Sequence, residues 1–194
     1  GFGVVAQAFD GAPNQDLFIA QNFFATNPEY SRCDAGRGLL MLGDGRGGFE
    51  AIAASQSGVV AYGEQRACAV SDFNRDGRMD LAIGQNNAQT KLLLNSTGVA
   101  GIRVRLKGPR QNPAAVGAKV TLQITENHTV TKEVQSGSGY WAVNSPVLIL
   151  PKLGRAHELT VSWPSGRAVT YKIPGDIREL LLQENGEVSI LKSL

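Results

Sequence analysis

Residues 72 to 80 place oxygen-bearing side chains at alternate positions of a nine-residue segment, Asp-Phe-Asn-Arg-Asp-Gly-Arg-Met-Asp. Calcium binds about six to eight oxygen ligands at about 2.3–2.6 Å, and a tight loop with alternating oxygen donors supplies them. The spacing therefore predicts a Ca2+ site. The predicted ligands are Asp72, Asn74, Asp76, the backbone carbonyl of Arg78, and Asp80.

The flanking sequence distinguishes this loop from an EF-hand. An EF-hand needs a bidentate Glu at its twelfth position and a helix on each side. The twelfth position here is Ile83, inside the apolar run Leu81–Gly84, which predicts a buried strand. The loop should therefore connect two strands, with Gly77 permitting its sharp turn. The alternative is an Asx-rich turn without metal, although mutual repulsion of three nearby carboxylates favours a cation.

The composition favours an all-β chain and excludes several classes of protein. The 194 residues include 23 Gly, and short apolar runs alternate with turn residues. The net charge is only +2 and the basic residues are scattered, so no nucleic-acid partner is predicted. No segment is long and apolar enough to span a membrane. A chain that begins at Gly1 without Met is expected to be processed or a piece of a longer protein.

Cysteines and sequons favour an extracellular location. Cys33 and Cys68 permit one disulfide in a secreted protein, or two buried thiols in a cytosolic one. Asn95 and Asn127 each begin an Asn-x-Thr sequon, so both are candidate glycosylation sites. The predicted calcium loop suits the calcium levels outside cells, which also favours an extracellular location.

An internal repeat underlies the first half of the chain. A shift of 64 residues aligns residues 8–26 with residues 72–90 at seven identities in 19 positions. This pattern predicts a duplicated supersecondary unit. Ala8 and Ala12 replace Asp72 and Asp76, so the first copy, with Asp10, Asn14 and Asp16, is expected to keep the turn and lack the metal. Asp44, among glycines, is predicted to be a turn residue.

The strand pattern changes near residue 98. Short runs such as Leu39–Leu42 and Phe49–Ile52, separated by Gly-rich turns, predict β-propeller-type blades in residues 1–97. Alternating strands, beginning with Ile102–Leu106, then predict a small β-sandwich in residues 98–194. Fewer than two blades leave edge strands open. Closure by a partner, or head-to-tail self-association into a ring or filament, is one expected consequence.

These motifs resemble a known family. Asp72–Leu81 and the turn at Gly43–Phe49 look like FG-GAP/VCBS propeller repeats. Four blocks in the second half resemble the ASPIC/UnbV domain, and the whole order resembles the C-terminal part of the cartilage acidic protein family. The resemblance implies an extracellular, non-catalytic, calcium-dependent adhesion or scaffold protein. The four blocks are residues 103–108, 115–120, 136–140 and 161–166.

The remaining candidate residues suggest no enzyme. Ser138 lies between glycines, but a nucleophile elbow needs Gly-x-Ser-x-Gly on a strand-to-helix turn. His128 and His157 are the only histidines, and neither motif around them predicts a catalytic triad or metal site.

The aromatic residues of the second half suggest an alternative function. Tyr140 and Trp141 are candidates for stacking on a glycan, whereas Trp163 alternates with apolar neighbours and is predicted to lie in the core. A carbohydrate-binding module is therefore the alternative to an adhesion or scaffold protein.

Overall fold

The structure, a computed structural model, describes residues 3–31, 35–126, 128–152 and 157–193. Within these residues the chain is almost entirely β, as predicted, and its one short helix is α1 (Ala54–Ser57). No helix in these ranges is long and apolar enough to cross a bilayer. The strands are β1 (Val4–Gln7), β2 (Asp16–Ile19), β3 (Leu39–Gly43), β4 (Phe49–Ile52), β5 (Glu64–Ser71), β6 (Asp80–Asn86), β7 (Lys91–Leu93), β8 (Ile102–Lys107), β9 (Lys119–Thr125), β10 (His128–Glu133), β11 (Leu148–Leu150), β12 (His157–Ser162), β13 (Ala168–Ile173), β14 (Ile177–Gln183) and β15 (Val188–Ser193).

The chain divides into two compact units. The main division falls between residues 98 and 99, and two short segments, 75–78 and 137–144, group with the unit on the other side of it. Unit 1 comprises Gly1–Asn74, Met79–Gly98 and Gly137–Asn144. Unit 2 comprises Arg75–Arg78, Val99–Ser136 and Ser145–Leu194.

Unit 1 contains two small antiparallel sheets whose strands follow one another in chain order. Sheet 1 has the order β1-β2-β3-β4, and sheet 2 has the order β5-β6-β7. This up-and-down arrangement is that of a propeller blade. Leu17 pairs with Met41 in sheet 1 as Leu81 pairs with Leu93 in sheet 2, so β2 and β3 correspond to β6 and β7.

Unit 2 is a sandwich of two four-stranded sheets. Sheet 3 has the order β10-β9-β12-β13, and sheet 4 has the order β11-β8-β14-β15. Apolar residues of both sheets, among them Val104, Leu122 and Leu180, form one buried core. Trp163 belongs to this core, as predicted. Sheet 4 includes one parallel pair, β8 with β14, which the sequence pattern does not reveal.

Candidate metal centre

The predicted calcium loop connects β5 to β6 in sheet 2. β5 ends at Ser71 and β6 begins at Asp80, so strands flank the loop on both sides as predicted. The first and last predicted ligands are buried, since Asp72 is 5% exposed and Asp80 is 1% exposed. Asn74 is exposed. Residues 75–78 in the middle of the loop group with unit 2.

The Asp80 carboxylate accepts two backbone hydrogen bonds. The N–H of Phe73 donates to Oδ2 at 2.7 Å, and the N–H of Asn95 donates to Oδ1 at 2.8 Å. Hydrogen bonds to an ionised carboxylate are among the stronger ones in proteins. Asp80 therefore joins the beginning of its own loop to the residues that follow β7.

Asp16 makes the same pair of hydrogen bonds in the first copy of the repeat. The N–H of Phe9 donates to Oδ2 at 2.7 Å, and the N–H of Gly43 donates to Oδ1 at 3.0 Å. Gly43 in sheet 1 corresponds to Asn95 in sheet 2 by the strand register. Because the first copy has Ala8 and Ala12 in place of two predicted ligands, this hydrogen-bond pair does not require the full predicted ligand set.

Burial raises the pKa of the Asp16 carboxyl above its ordinary value. Desolvation is the largest cause, and the negative charge of Asp10 raises the pKa further. The backbone N–H donors, including that of Gly43, oppose this shift by stabilising the carboxylate. Burial of the Asp16 carboxylate is therefore unfavourable, and its backbone hydrogen bonds partly offset this cost.

The turn of the loop uses two residues in the left-handed region. Arg75 has φ 60°, and Gly11, its counterpart in the first copy, has φ 82°. Gly77 has φ 87° and its carbonyl accepts a hydrogen bond from the N–H of Gly101 at 2.8 Å. A Cβ atom at Gly77 would lie 2.8 Å from the Gly101 carbonyl oxygen. Glycine is thus required at this position for both conformation and space.

Asp76, the carboxylate in the middle of the loop, has a basic neighbour in Arg78. Asp76 accepts the N–H of Arg78 at 2.9 Å on Oδ1, and its Oδ2 lies 2.8 Å from Nη1 of Arg78. Among the described residues, no group of three His, Cys, Asp or Glu side chains is arranged to hold a metal ion. The donor types of the loop fit a hard cation, and the ligands that could hold one remain those predicted from the spacing.

The structure describes one of the two cysteines and one of the two sequon asparagines. Cys68 is buried in β5, and burial raises the pKa of its thiol to about 11. Cys33 and Asn127 lie outside the described residues, so the disulfide and the second sequon stay predictions. Asn95 is described: its Nδ2 donates to the carbonyl of Phe9 at 2.6 Å and to that of Met79 at 3.3 Å. A glycan on Asn95 would leave its Nδ2 a single hydrogen, so only one of these two bonds could remain.

The two candidate stacking residues are exposed neighbours. Trp141 is 89% exposed and has φ 51°, and its ring centroid lies 6.2 Å from that of Tyr140. The segment that carries them is fixed within unit 1 by Asn144, whose Oδ1 accepts the N–H of Val70 at 3.0 Å. The Oγ of Ser138 accepts the N–H of Asn144 at 3.0 Å, which gives that serine a role in the loop.

The sequence interpretation missed the structural role of Asp16 and Asp80. The sequence predicts only that Asp16 belongs to a loop that keeps its turn and lacks the metal, whereas in the structure the Asp16 carboxylate holds two backbone segments together. The available signal was the repeat itself, because Asp is kept at this position while Asp72 and Asp76 have no acidic counterparts. A carboxylate kept where ligands are lost indicates a structural function.

Comparisons with known proteins support the predicted ASPIC/UnbV resemblance of the second half of the chain. Residues 108–188 match the family model described as ASPIC and UnbV, and this region contains the strands β9 to β14. The chain is also similar to Cartilage acidic protein 1 from Xenopus tropicalis, with 29% identity over 120 residues that cover 58% of this chain. The chain spans 18% of that protein's length.

Proposed function

We propose that this chain is an extracellular, non-catalytic calcium-binding module with an adhesive or scaffolding role. The observation that carries the proposal is the alternation of oxygen donors from Asp72 to Asp80 between two strands of a blade-like sheet. The ASPIC and UnbV match in the second half, and the similarity to a cartilage acidic protein, support an extracellular setting. The loop's likeness to FG-GAP/VCBS repeats supports calcium as the ion.

The role of the ion is structural in this proposal. A cation held by Asp72, Asn74, Asp76, the Arg78 carbonyl and Asp80 offsets the repulsion among three carboxylates and stabilises the folded loop. Arg75 and Arg78 lower the affinity, because their positive charges lie in the same nine residues. A weak site of this kind suits the millimolar calcium outside cells, where Kd values of about 10⁻⁴–10⁻³ M are typical.

Open strand edges in unit 1 support the scaffolding part of the proposal. β4 and β7 each end a sheet, and unpaired edges are surfaces for association with another chain. Light scattering coupled to size exclusion, run in calcium and in EDTA, tests self-association. Assembly that requires calcium is the expected result, whereas a monomer at every concentration in both buffers contradicts self-association.

Glycan binding is the second candidate function. Its support is Trp141, whose indole ring is exposed and whose backbone lies in the left-handed region. That backbone conformation costs about 1–2 kcal/mol for a non-glycine residue. Strained, exposed residues of this kind occur at ligand sites. A glycan array tests this function. Trp141→Ala should remove the signal and Tyr30→Ala, at a separate exposed aromatic residue, should retain it; unchanged binding by Trp141→Ala contradicts the assignment.

A further inference from the structure

Among the described residues, sheet 2 has three strands where sheet 1 has four. In sheet 1, β4 pairs with the outer edge of β3, with Leu40 opposite Ile52 and Leu42 opposite Glu50. β7 corresponds to β3. In the part of the chain that the structure describes, no strand pairs with the second edge of β7. The repeat therefore identifies a strand position that is filled in one copy and open in the other.

The direction of one hydrogen bond shows which backbone groups face the open edge. Alternate residues of an antiparallel strand direct their N–H and C=O groups to opposite edges. The N–H of Asn95 points to Asp80 on β6, as the N–H of Gly43 points to Asp16 on β2. By this alternation, Leu92 and Leu94 direct their backbone groups to the open edge. They correspond to Leu40 and Leu42, which face β4 in sheet 1.

The same edge is apolar. Leu92 is 45% exposed and Leu94 is 53% exposed. An exposed apolar edge strand is a template for pairing with another strand. In sheet 1 the equivalent residues, Leu40 and Leu42, lie beside β4 and are partly buried. A strand added to β7 would cover Leu92 and Leu94 in the same way.

A cavity of about 220 Å³ lies next to this edge within unit 1. Its apolar lining includes Leu40, Leu42 and Ile52 of sheet 1 and Leu81 and Leu93 of sheet 2, and polar residues such as Gln56 and Ser57 also line it. An apolar cavity of about 150 Å³ is enough to hold benzene, so this one accepts a large apolar side chain. Directly opposite residues of neighbouring strands share a face, so a residue opposite Leu93 would point into the cavity.

We propose that the open edge of β7 binds an extended segment of a partner protein as the fourth strand of sheet 2, and that one large apolar side chain of this segment fills the cavity. β4 (Phe49–Ile52) is the template for that segment. Ala51 pairs with Met41 in sheet 1, so the partner's residue opposite Leu93 takes the position of Ala51 and is larger. The inference deepens the proposed scaffolding function and rests on it.

Fluorescence anisotropy with labelled peptides tests the fit. The probes are the sequence of residues 47–54, Gly-Gly-Phe-Glu-Ala-Ile-Ala-Ala, and the same peptide with Ala51→Ile or Ala51→Asp. The Ala51→Ile peptide should bind saturably and at least about tenfold more tightly than the other two, because it buries extra methylene groups. Equal binding of all three peptides, or no binding of any, overturns the proposal.

A proline at the edge tests the strand pairing. Leu92→Pro removes an N–H that faces the open edge, and Pro is tolerated on edge strands. We expect it to abolish peptide binding, while the matched control Ile190→Pro, at an exposed residue of the edge strand β15, retains it. Unchanged binding by Leu92→Pro overturns the proposal.

Amide exchange of the unmodified chain gives a readout that does not depend on a variant folding. The amides of Leu92 and Leu94 should become protected when the Ala51→Ile peptide is added, and unchanged exchange there contradicts pairing at β7. Self-association that Leu92→Pro abolishes would make the occupant of the β7 edge a second copy and overturn the choice of a partner. Calcium-dependent self-association through the edge of β4 should survive Leu92→Pro. The stabilisation of the chain by calcium is measured separately, in the absence of peptide. A failure of the proposed calcium binding is therefore distinguishable from a failure of peptide binding.

Discussion

Replacement of Asp80 and Asp16 by alanine separates the structural role of these carboxylates from metal binding. The two residues share a pair of backbone N–H bonds at 2.7–3.0 Å with the same arrangement, and each residue is almost completely buried. Asp16 also accepts a longer bond from the N–H of Asp10 at 3.3 Å. Only Asp80 belongs to the predicted ligand set. Asp16→Ala is therefore the matched control for Asp80→Ala within the same chain.

The expected loss of stability follows from the hydrogen bonds. A hydrogen bond to a charged group contributes about 1.5–3 kcal/mol, and a buried donor left without a partner is costly. Two such bonds give a loss of about 3–6 kcal/mol for either variant in EDTA, where no calcium is bound. Asp16→Ala falls at the lower end, because burial of its carboxylate already carries a desolvation cost.

Calcium should distinguish the two variants. A ligand present at about ten to one hundred times its Kd stabilises the folded protein by about 1.4–2.7 kcal/mol. The unmodified chain and Asp16→Ala should both gain this increment on transfer from EDTA to calcium. Asp80→Ala should gain little, because it lacks one of the predicted ligands.

Hydrogen exchange measured on peptides that cover sheet 1, for Asp16→Ala, and sheet 2, for Asp80→Ala, provides the assay. Both tryptophans report poorly on sheet 2, since Trp163 lies in the core of unit 2 and Trp141 is exposed. Urea unfolding followed by circular dichroism gives the global value for comparison. If Asp16→Ala has almost no effect in EDTA while Asp80→Ala has a large one, the shared structural role is refuted. If both variants gain the same increment from calcium, Asp80 is not a ligand.

Three further results are expected. Gly77→Ala should destabilise the chain in urea by more than Gly47→Ala, because both residues have positive φ but only Gly77 has the Gly101 carbonyl 2.8 Å from the added Cβ; equal losses would contradict this. Cys68, with a pKa raised by burial to about 11, should resist alkylation at about pH 8 in the folded chain and react in denaturant; rapid labelling of the folded chain would contradict it, and nonreducing peptide mapping shows whether Cys33 pairs with it. Because burial raises the pKa of Asp16, its contribution to stability is present below the ordinary carboxyl pKa and is lost as the pH rises through the raised value. The destabilisation by Asp16→Asn should therefore be larger at about pH 4 than at about pH 7, and the opposite trend would contradict the shift.

Local sequence patterns were sufficient to predict much of the fold. Alternation within Ile102–Leu106 and Ala168–Ile173 identified strands of the sandwich, because one face of each strand is buried. The apolar run after Asp80 identified β6, and the 64-residue shift identified the repeat. The strands depend on residues that are close in the chain, where periodicity carries the information, and the repeat follows from comparing two such local segments.

Long-range contacts were not predictable from one sequence. Asp16 bonds to Gly43 across 27 residues, and Asp80 bonds to Asn95 across 15 residues. Nothing in the local pattern around Gly43 or Asn95 marks it as a partner of a carboxylate. The left-handed backbone at Trp141 was also not predicted, since it depends on the loop that Asn144 fixes by a bond to Val70 across 74 residues.

Calorimetric titration of calcium into chelator-treated protein tests the central claim most directly. The account predicts saturable binding of one ion per chain with a Kd of about 10⁻⁴–10⁻³ M, and loss of that binding in Asp76→Ala. Asp10→Ala, in the copy that lacks the ligand set, should bind as the unmodified chain does. No heat of binding up to about 10 mM calcium, or an unchanged titration with Asp76→Ala, would contradict the assignment of the loop as a calcium site.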